Sequence, residues 1–372
     1  MKVAVITRHA VFNYGSLLQT IATGQCLEDM GYECEIIDYQ RKDEDYRTIA
    51  RTLVKKNKKW NRNPVTRLIY CTMQSPKFRL MGRHFEKMRE GVLKTTKRYS
   101  SYEELKKDKP AADIYMTGSD QVWGPIGVDS YDPAYFLGFV EEGDRKISYA
   151  ASFGKTVFTE NLLEAMKGYL TRYDGIAVRE KSAAETISGM NVPASLYQVL
   201  DPTLLLDSEY WDKMIKEEYK EKYILIYQLH NNPRMLEYAY ALAEEKGLPL
   251  VTMSSTAQHL AHNGSKHVFL PSLSEWLGYI KNAAFMITDS FHGTAFAINF
   301  NTQFVNVLPE GTATRNQSIL ELTGLKNRIV ENYEDFSCFD QKIDFSKVNE
   351  IIEQQRAVSF QIWRELLENA AH

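Results

Sequence analysis

Long hydrophobic runs are absent from this chain. No window of its 372 residues approaches the roughly 18 apolar residues that a membrane span needs. Cysteine is scarce: Cys26, Cys34, Cys71 and Cys338 are scattered and form no C-x-x-C pair. That excludes a zinc ribbon or a disulfide frame and fits reduced thiols in a cytosol. No cluster of metal-ligating residues stands out, so neither a metal nor a cofactor is expected. There is no G-x-G-x-x-G, hence no dinucleotide fingerprint. Internal repeats and low-complexity runs are missing as well. Charge of one sign is not in excess: 45 Lys and Arg against 48 Asp and Glu leave −3, which argues against a protein basic throughout. The start, "MKVAVITRHAVFNYG", turns polar too early for a signal peptide and is expected to be a first strand of a cytoplasmic protein.

What is present is ordinary for a soluble globular chain: 44% apolar and 25% charged residues, with a length that suits about two domains. Short apolar runs alternate with amphipathic helical segments. Expected strands are 2–8, 34–38, 113–118, 146–152, 175–179 and 197–201, then 222–228, 249–253, 266–270, 284–288 and 303–308. Many are apolar without alternation, as when both faces of a sheet are covered. Helices fit between them at 16–30, 234–246 and 272–282, and Gly31 stops the first. The pattern predicts an α/β protein of mainly parallel sheets. It restarts near 222, which suggests domains at 1–205 and 206–372, with the last helix (about 346–370) packing back on the first domain.

One region departs from the average. Residues 51–98, within an insertion at about 45–105, hold fifteen Lys or Arg and only two acids, Glu86 and Glu90. A solvated helical insertion and a surface for anionic lipid or a lipid-linked diphosphate both fit. Nucleic acid does not, because the basicity is confined and no binding motif accompanies it.

Five stretches carry candidate chemistry. "RHAVFNYGSLLQ" (8–19) joins a strand to a helix start, where N–H groups attract an anion; Asn13 and Gly15 are the useful residues, against an ordinary βα turn. "TGSDQVWGP" (117–125) places Ser119 and Asp120 at a strand's carboxyl end, where α/β folds bind ligands. Asp120 is there either as a base on a sugar hydroxyl or as a helix cap. "SYAASFGK" (148–155) is a candidate phosphate turn. "GIAVREKSA" (175–183) ends with Arg179, suited to a carboxylate or phosphate or else paired with Glu180. "TDSFHGTAFAINF" (288–300) runs from a strand into a helix capped near Ser290, with His292 in its first turn. His292 is a catalytic candidate, or else a satisfied core histidine. Arg315, before another helix, is a carboxylate anchor or a solvated side chain, and His230 is a further loop candidate.

Taken in order, "NYGSLLQ", "TGSDQVW", "SYAAS", "VRE", "VLDPTLLL", "TDSFHGTAFAI" and a "TR" before a helix resemble the polysaccharide pyruvyl transferase family over roughly residues 3–325. The resemblance implies two Rossmann-like domains in a glycosyltransferase-B-like arrangement with a cleft between them. It implies transfer of a pyruvyl group from phosphoenolpyruvate to two hydroxyls of a surface-polysaccharide sugar, often lipid-linked. Arg179 and His292 match the family's strand-end arginine and cleft histidine. Members carry Arg-Leu-His where this chain has Ser290-Phe291-His292, so a guanidinium is missing. Arg315 or the basic insertion is the cation available in its place. The expected roles are His292 as acid–base, Asp120 as spare base, Arg179 and Arg315 as anion clamps, and Asn13, Gly15, Ser119 and Ser290 as substrate contacts. A nucleotide-sugar glycosyltransferase suits the same cleft, and a non-catalytic assembly protein suits the loss of the arginine. Contact with the inner membrane face through residues 51–98 completes the expectation.

Overall fold

The computed structural model describes residues 1–127, 130–155, 157–217, 219–255 and 265–369; residue 370, to which the sequence extends the last helix, lies outside them. The eleven apolar runs all form strands: β1 (Lys2–Ile6), β2 (Glu33–Ile36), β3 (Ile114–Thr117), β4 (Arg145–Ala151), β5 (Gly175–Val178), β6 (Ser195–Gln198), β7 (Ile224–Tyr227), β8 (Leu250–Ser254), β9 (Ser265–Phe269), β10 (Phe285–Thr288) and β11 (Phe304–Asn306). They build two sheets, ordered β2-β1-β3-β4-β5-β6 and β11-β10-β7-β8-β9, and each ladder is parallel. Val3–Ile6 and Ile224–Tyr227 are buried on both faces, which is why the central strands are uninterruptedly apolar.

β6 starts and stops earlier than the sequence suggests. Pro202 holds the preceding Asp201 extended, and Asp201 then caps the Pro202–Leu205 turn by accepting from the Thr203 N–H at 3.0 Å. Val199–Asp201 therefore leaves the sheet edge as a connection.

Each sheet has a point where its strand order reverses: between β1 and β3 in the first, between β7 and β10 in the second. Loops leaving the strands there diverge to opposite faces and open a crevice at the carboxyl ends. The two crevices face each other because the sheets share one apolar cluster, running from Val3, Val5 and Leu17 to Trp276 and Phe296. Tyr14 stacks on Trp276 (centroids 5.8 Å apart) and its hydroxyl donates to the Pro271 carbonyl at 2.6 Å. The Asn299 amide donates to the Thr203 and Leu206 carbonyls at 3.1 and 2.9 Å. The Phe345–Asn369 helix crosses to the first sheet, where Trp363 stacks on Tyr149 and the Ser359 hydroxyl accepts from the Leu200 N–H at 3.0 Å. Two helices, Ile49–Lys56 and Pro64–Arg89, make up most of the basic insertion between β2 and β3.

Candidate active site

The four loops at the two reversal points line a single cleft of about 360 Å³. The β1 loop brings Arg8, Asn13 and Ser16, and the β3 loop brings Asp120 and Gln121. The β7 loop brings His230, the β10 loop brings Ser290 and His292, and Arg315 enters from a later helix. Residues distant in sequence converge because all but Arg315 lie in or just after the loops that leave the strands' carboxyl ends.

His292 lies in the first turn of the Phe291–Asn299 helix, as its spacing from β10 predicts, with Ser290 as cap accepting from the Gly293 N–H at 3.1 Å. The ring reaches across to the start of the first helix. A Cβ on Gly15 would lie 2.1 Å from His292 Nδ1 and 2.2 Å from its Cγ. Gly15 thus makes room for the imidazole, which differs from the substrate contact expected of it. Gly15→Ala is expected to push His292 aside, lower stability by about 1–3 kcal/mol and cut turnover; urea unfolding and an activity assay check both effects.

His292 Nε2 is buried without a hydrogen-bond partner; Asp201 Oδ2 stands 3.7 Å away, too far to be one. Asp201 itself is a hub that sequence reasoning left out. Arg179 Nη1 donates to its Oδ2 at 2.7 Å and the Ser119 hydroxyl does so at 2.8 Å, while Thr203 donates to Oδ1 at 2.7 Å. Burial acts to raise the Asp201 carboxyl, but His292 and Arg179 beside it overcome that and hold it well below the usual carboxylate range. A lone acid between "VL" and "PTLLL", two apolar runs, was the available signal.

Ser119 and Arg179 therefore sit one layer behind the cleft. Ser119 is fully buried and committed to Asp201, so the structure gives it no direct substrate contact. Arg179 packs its guanidinium over the Phe291 ring at 4.2 Å and lies 3.6 Å from Glu180, so it is paired with two acids. Its Nε and Nη2 nevertheless lack hydrogen-bond partners. Arg179 borders a second hollow of about 120 Å³ that meets the main cleft at Phe291 and Arg315.

Arg315 differs from its neighbour. Among the described residues it makes no ion pair; with the Gln121 amide oxygen turned toward it, Gln121 accepts from Nη1 and Nη2 at 3.0 and 2.6 Å. Burial first, and then repulsion from Arg179, pull its pKa down to about 10, still well above neutrality. Gln121 is braced by the "SYAASFGK" turn: Gly154 has φ +68°, and a Cβ there would strike the Gln121 side chain at 2.6 Å. That turn thus holds a side chain, and Gly154 and Lys155 also line a groove with Arg8 and Arg41.

Asp120 adopts φ +77°, rare for a non-glycine residue, and its carboxylate accepts the Ser16 hydroxyl and its own following N–H at 2.8 Å. Burial would raise it, but His292, Arg179 and Arg8 hold it low. It stays charged near neutrality, which suits accepting a hydrogen bond better than taking up a proton. Asn13 has its side-chain oxygen occupied by the N–H groups of Gly15 and Ser16 at 2.9 and 3.3 Å. Asp289, also unforeseen, accepts from the Leu229 and His230 N–H groups and from His230 Nδ1 at 3.1 Å, which fixes the β7 loop at the cleft mouth.

The overall fold is similar to that of S. aureus MnaA solved with UDP (TM-score 0.51, 13% identity, covering 95% of this chain and 91% of that one). It is also similar to UGT89C1 of Arabidopsis thaliana (0.52, 9%, 100% and 99%) and to the N-terminal domain of Candida albicans trehalose-6-phosphate phosphatase (0.53, 10%, 99% and 96%). These likenesses establish the glycosyltransferase-B-like pairing of two Rossmann-like domains. No protein with a curated description matches the chain in sequence. The sequence model of one family does match, over residues 13–310, and with the ordered motifs now gathered around one cleft this chain belongs to the polysaccharide pyruvyl transferase family.

Proposed function

We propose that the cleft binds phosphoenolpyruvate and transfers its pyruvyl group to two hydroxyls of a saccharide, forming a ketal and releasing phosphate. The observation that carries this reading is a cluster of buried polar groups around Phe291: Arg179 Nε and Nη2 and His292 Nε2, which lack hydrogen-bond partners, beside an Arg315 guanidinium that no acid pairs among the described residues. Buried polar atoms without partners are rare in folded proteins, and several together mark a place that a ligand completes. Two guanidinium groups beside an imidazole suit a small acid bearing a carboxylate and a phosphate.

The chemistry needs a proton on the methylene carbon, a developing positive centre at the adjacent carbon, and two C–O bonds to the sugar formed as the phosphate C–O bond breaks. Of the two hydroxyl protons, one ends on the new methyl group and the other leaves with phosphate. His292 is the group placed to move both. Arg315 holds the anion, with Arg179 behind it, while Asp120 and Ser16 accept and orient acceptor hydroxyls. Ser290 is spent on capping its helix, so Arg315 supplies the guanidinium absent from position 290.

Phosphate release from phosphoenolpyruvate that depends on an added saccharide is the expected result. Arg315→Met should raise the KM for phosphoenolpyruvate about 10–100-fold, because hydrogen bonds to charged groups contribute about 1.5–3 kcal/mol. A second reading, a nucleotide-sugar glycosyltransferase, is favoured by the likeness to a fold solved with UDP. It requires saturable UDP binding and no phosphate release under any acceptor.

A further inference from the structure

We infer that the outer part of the basic insertion is a docking surface for an anionic lipid bilayer. The Pro64–Arg89 helix is buried only toward its end, at Met81, Gly82 and Phe85. Its first seventeen residues, about 25 Å at 1.5 Å per residue, include none that is buried, and they run as an outrigger beside the Ile49–Lys56 helix, touching the first domain through Phe78 on Phe12. Along this outrigger Val65, Leu68, Ile69, Met73 and Leu80 are 45–67% exposed. At 100° per residue their positions fall within one stripe of the helix surface, roughly 140° wide. Single exposed aliphatics are common, but five aligned on one protruding helix are not what water alone favours.

Charge specifies the occupant. Residues 51–83 contain ten Lys or Arg and no Asp or Glu. Among the described residues none of these ten forms an ion pair, whereas Arg47 and Arg98, flanking them, are both paired with Glu86. Arg67 and Arg79 also edge a groove of about 660 Å³ between the two helices, with Val54, Leu68 and Pro76 as its apolar walls. Aliphatic side chains ringed by unneutralised cations match an interface of acyl chains below phosphate headgroups. A nucleic acid would satisfy the cations but not the aliphatics. A second copy docking through the same face would bring two strongly positive surfaces together. The contact is peripheral: no helix among the described residues is long and apolar enough to span a bilayer.

One groove connects the active cleft with the insertion. Arg8 and Gln121 line both the main cleft and an adjoining polar groove of about 260 Å³, and that groove ends at Lys56 on the first outrigger helix.

Flotation of the full chain with vesicles tests this. Vesicles of phosphatidylcholine with about one third phosphatidylglycerol should carry the protein up a density gradient, and pure phosphatidylcholine should not, because each basic residue near an anionic surface contributes about fivefold to partitioning. Arg67→Glu with Arg79→Glu should reduce that partitioning more than about tenfold. Leu68→Ser, Ile69→Ser and Met73→Ser combined should abolish the part that survives high salt. All five side chains are exposed, so unchanged circular dichroism and melting are expected of both variants. Equal flotation with both vesicle types, or none, overturns the inference. So does duplex DNA binding that the serine variant leaves intact, or concentration-dependent dimerisation in sedimentation that the charge reversal enhances.

Discussion

Turnover falls about 10²–10⁴-fold when His292 is replaced by glutamine, while the affinity for phosphoenolpyruvate changes little. The range is what positioned acid–base catalysis contributes. The expectation rests on placement: the imidazole lies against Gly15, its Nε2 lacks a hydrogen-bond partner, and the ring borders the cleft that Asp120 and Arg315 also line. Glutamine is preferred to alanine because His292 is only 5% exposed and truncation would leave a void beside the first helix. Single-turnover phosphate release, with binding read separately, gives the split between chemistry and affinity. Full activity in a folded His292→Gln protein removes the imidazole from the reaction. Loss of activity that merely tracks loss of fold assigns it a structural part instead.

The second large effect is on stability. Asp201→Asn should cost about 3–5 kcal/mol, the usual consequence of leaving one member of a buried ion pair uncompensated. Asparagine retains the shape and can still accept from Thr203, so what is lost is the charge facing Arg179, Ser119 and His292. Pairing it with Arg179→Met should cost clearly less than the two single changes added together, since no orphan charge then remains. Denaturant unfolding of the four proteins measures this. The pH dependence has a definite sign. Asp201 is held below its unfolded value of about 3.9, so its contribution is complete above that pH and is lost as acid carries the protein below it. The wild type should therefore lose stability toward low pH more steeply than Asp201→Asn. Parallel acid limbs would show that the carboxylate is not stabilised as the geometry implies.

Fold was legible because its signal is repetitive. Eleven strand-like runs, many of them apolar without alternation, separated by helical stripes leave little choice but parallel sheets with covered faces, and the cap at Ser290 marked where its helix starts. The candidate site was legible to the extent that it depends on strand ends. Asn13, Asp120, Ser290 and His292 were found because each follows a strand directly, and the structure brings them to one cleft. What could not be read was depth. Nothing local tells that the Ser119 hydroxyl turns inward to Asp201 while Asp120 turns toward Ser16, because neighbouring residues at a sharp bend point in opposite directions. Asp201 was hidden for a related reason: it lies beyond an edge strand, far in sequence from its partners, and looks like the punctuation of an interdomain connection. Gly15 resembled a phosphate-binding glycine, and only the position of the His292 ring across the cleft reveals what its missing side chain accommodates.

The central claim is that Arg315 and Arg179 gather a small dianion against His292. Isothermal titration of the full chain with phosphoenolpyruvate, repeated with Arg315→Met, addresses it most directly. Saturable binding by the wild type that weakens about 10–100-fold in the variant is the predicted result. Absence of binding by the wild type, or binding that Arg315→Met leaves unchanged, would contradict it.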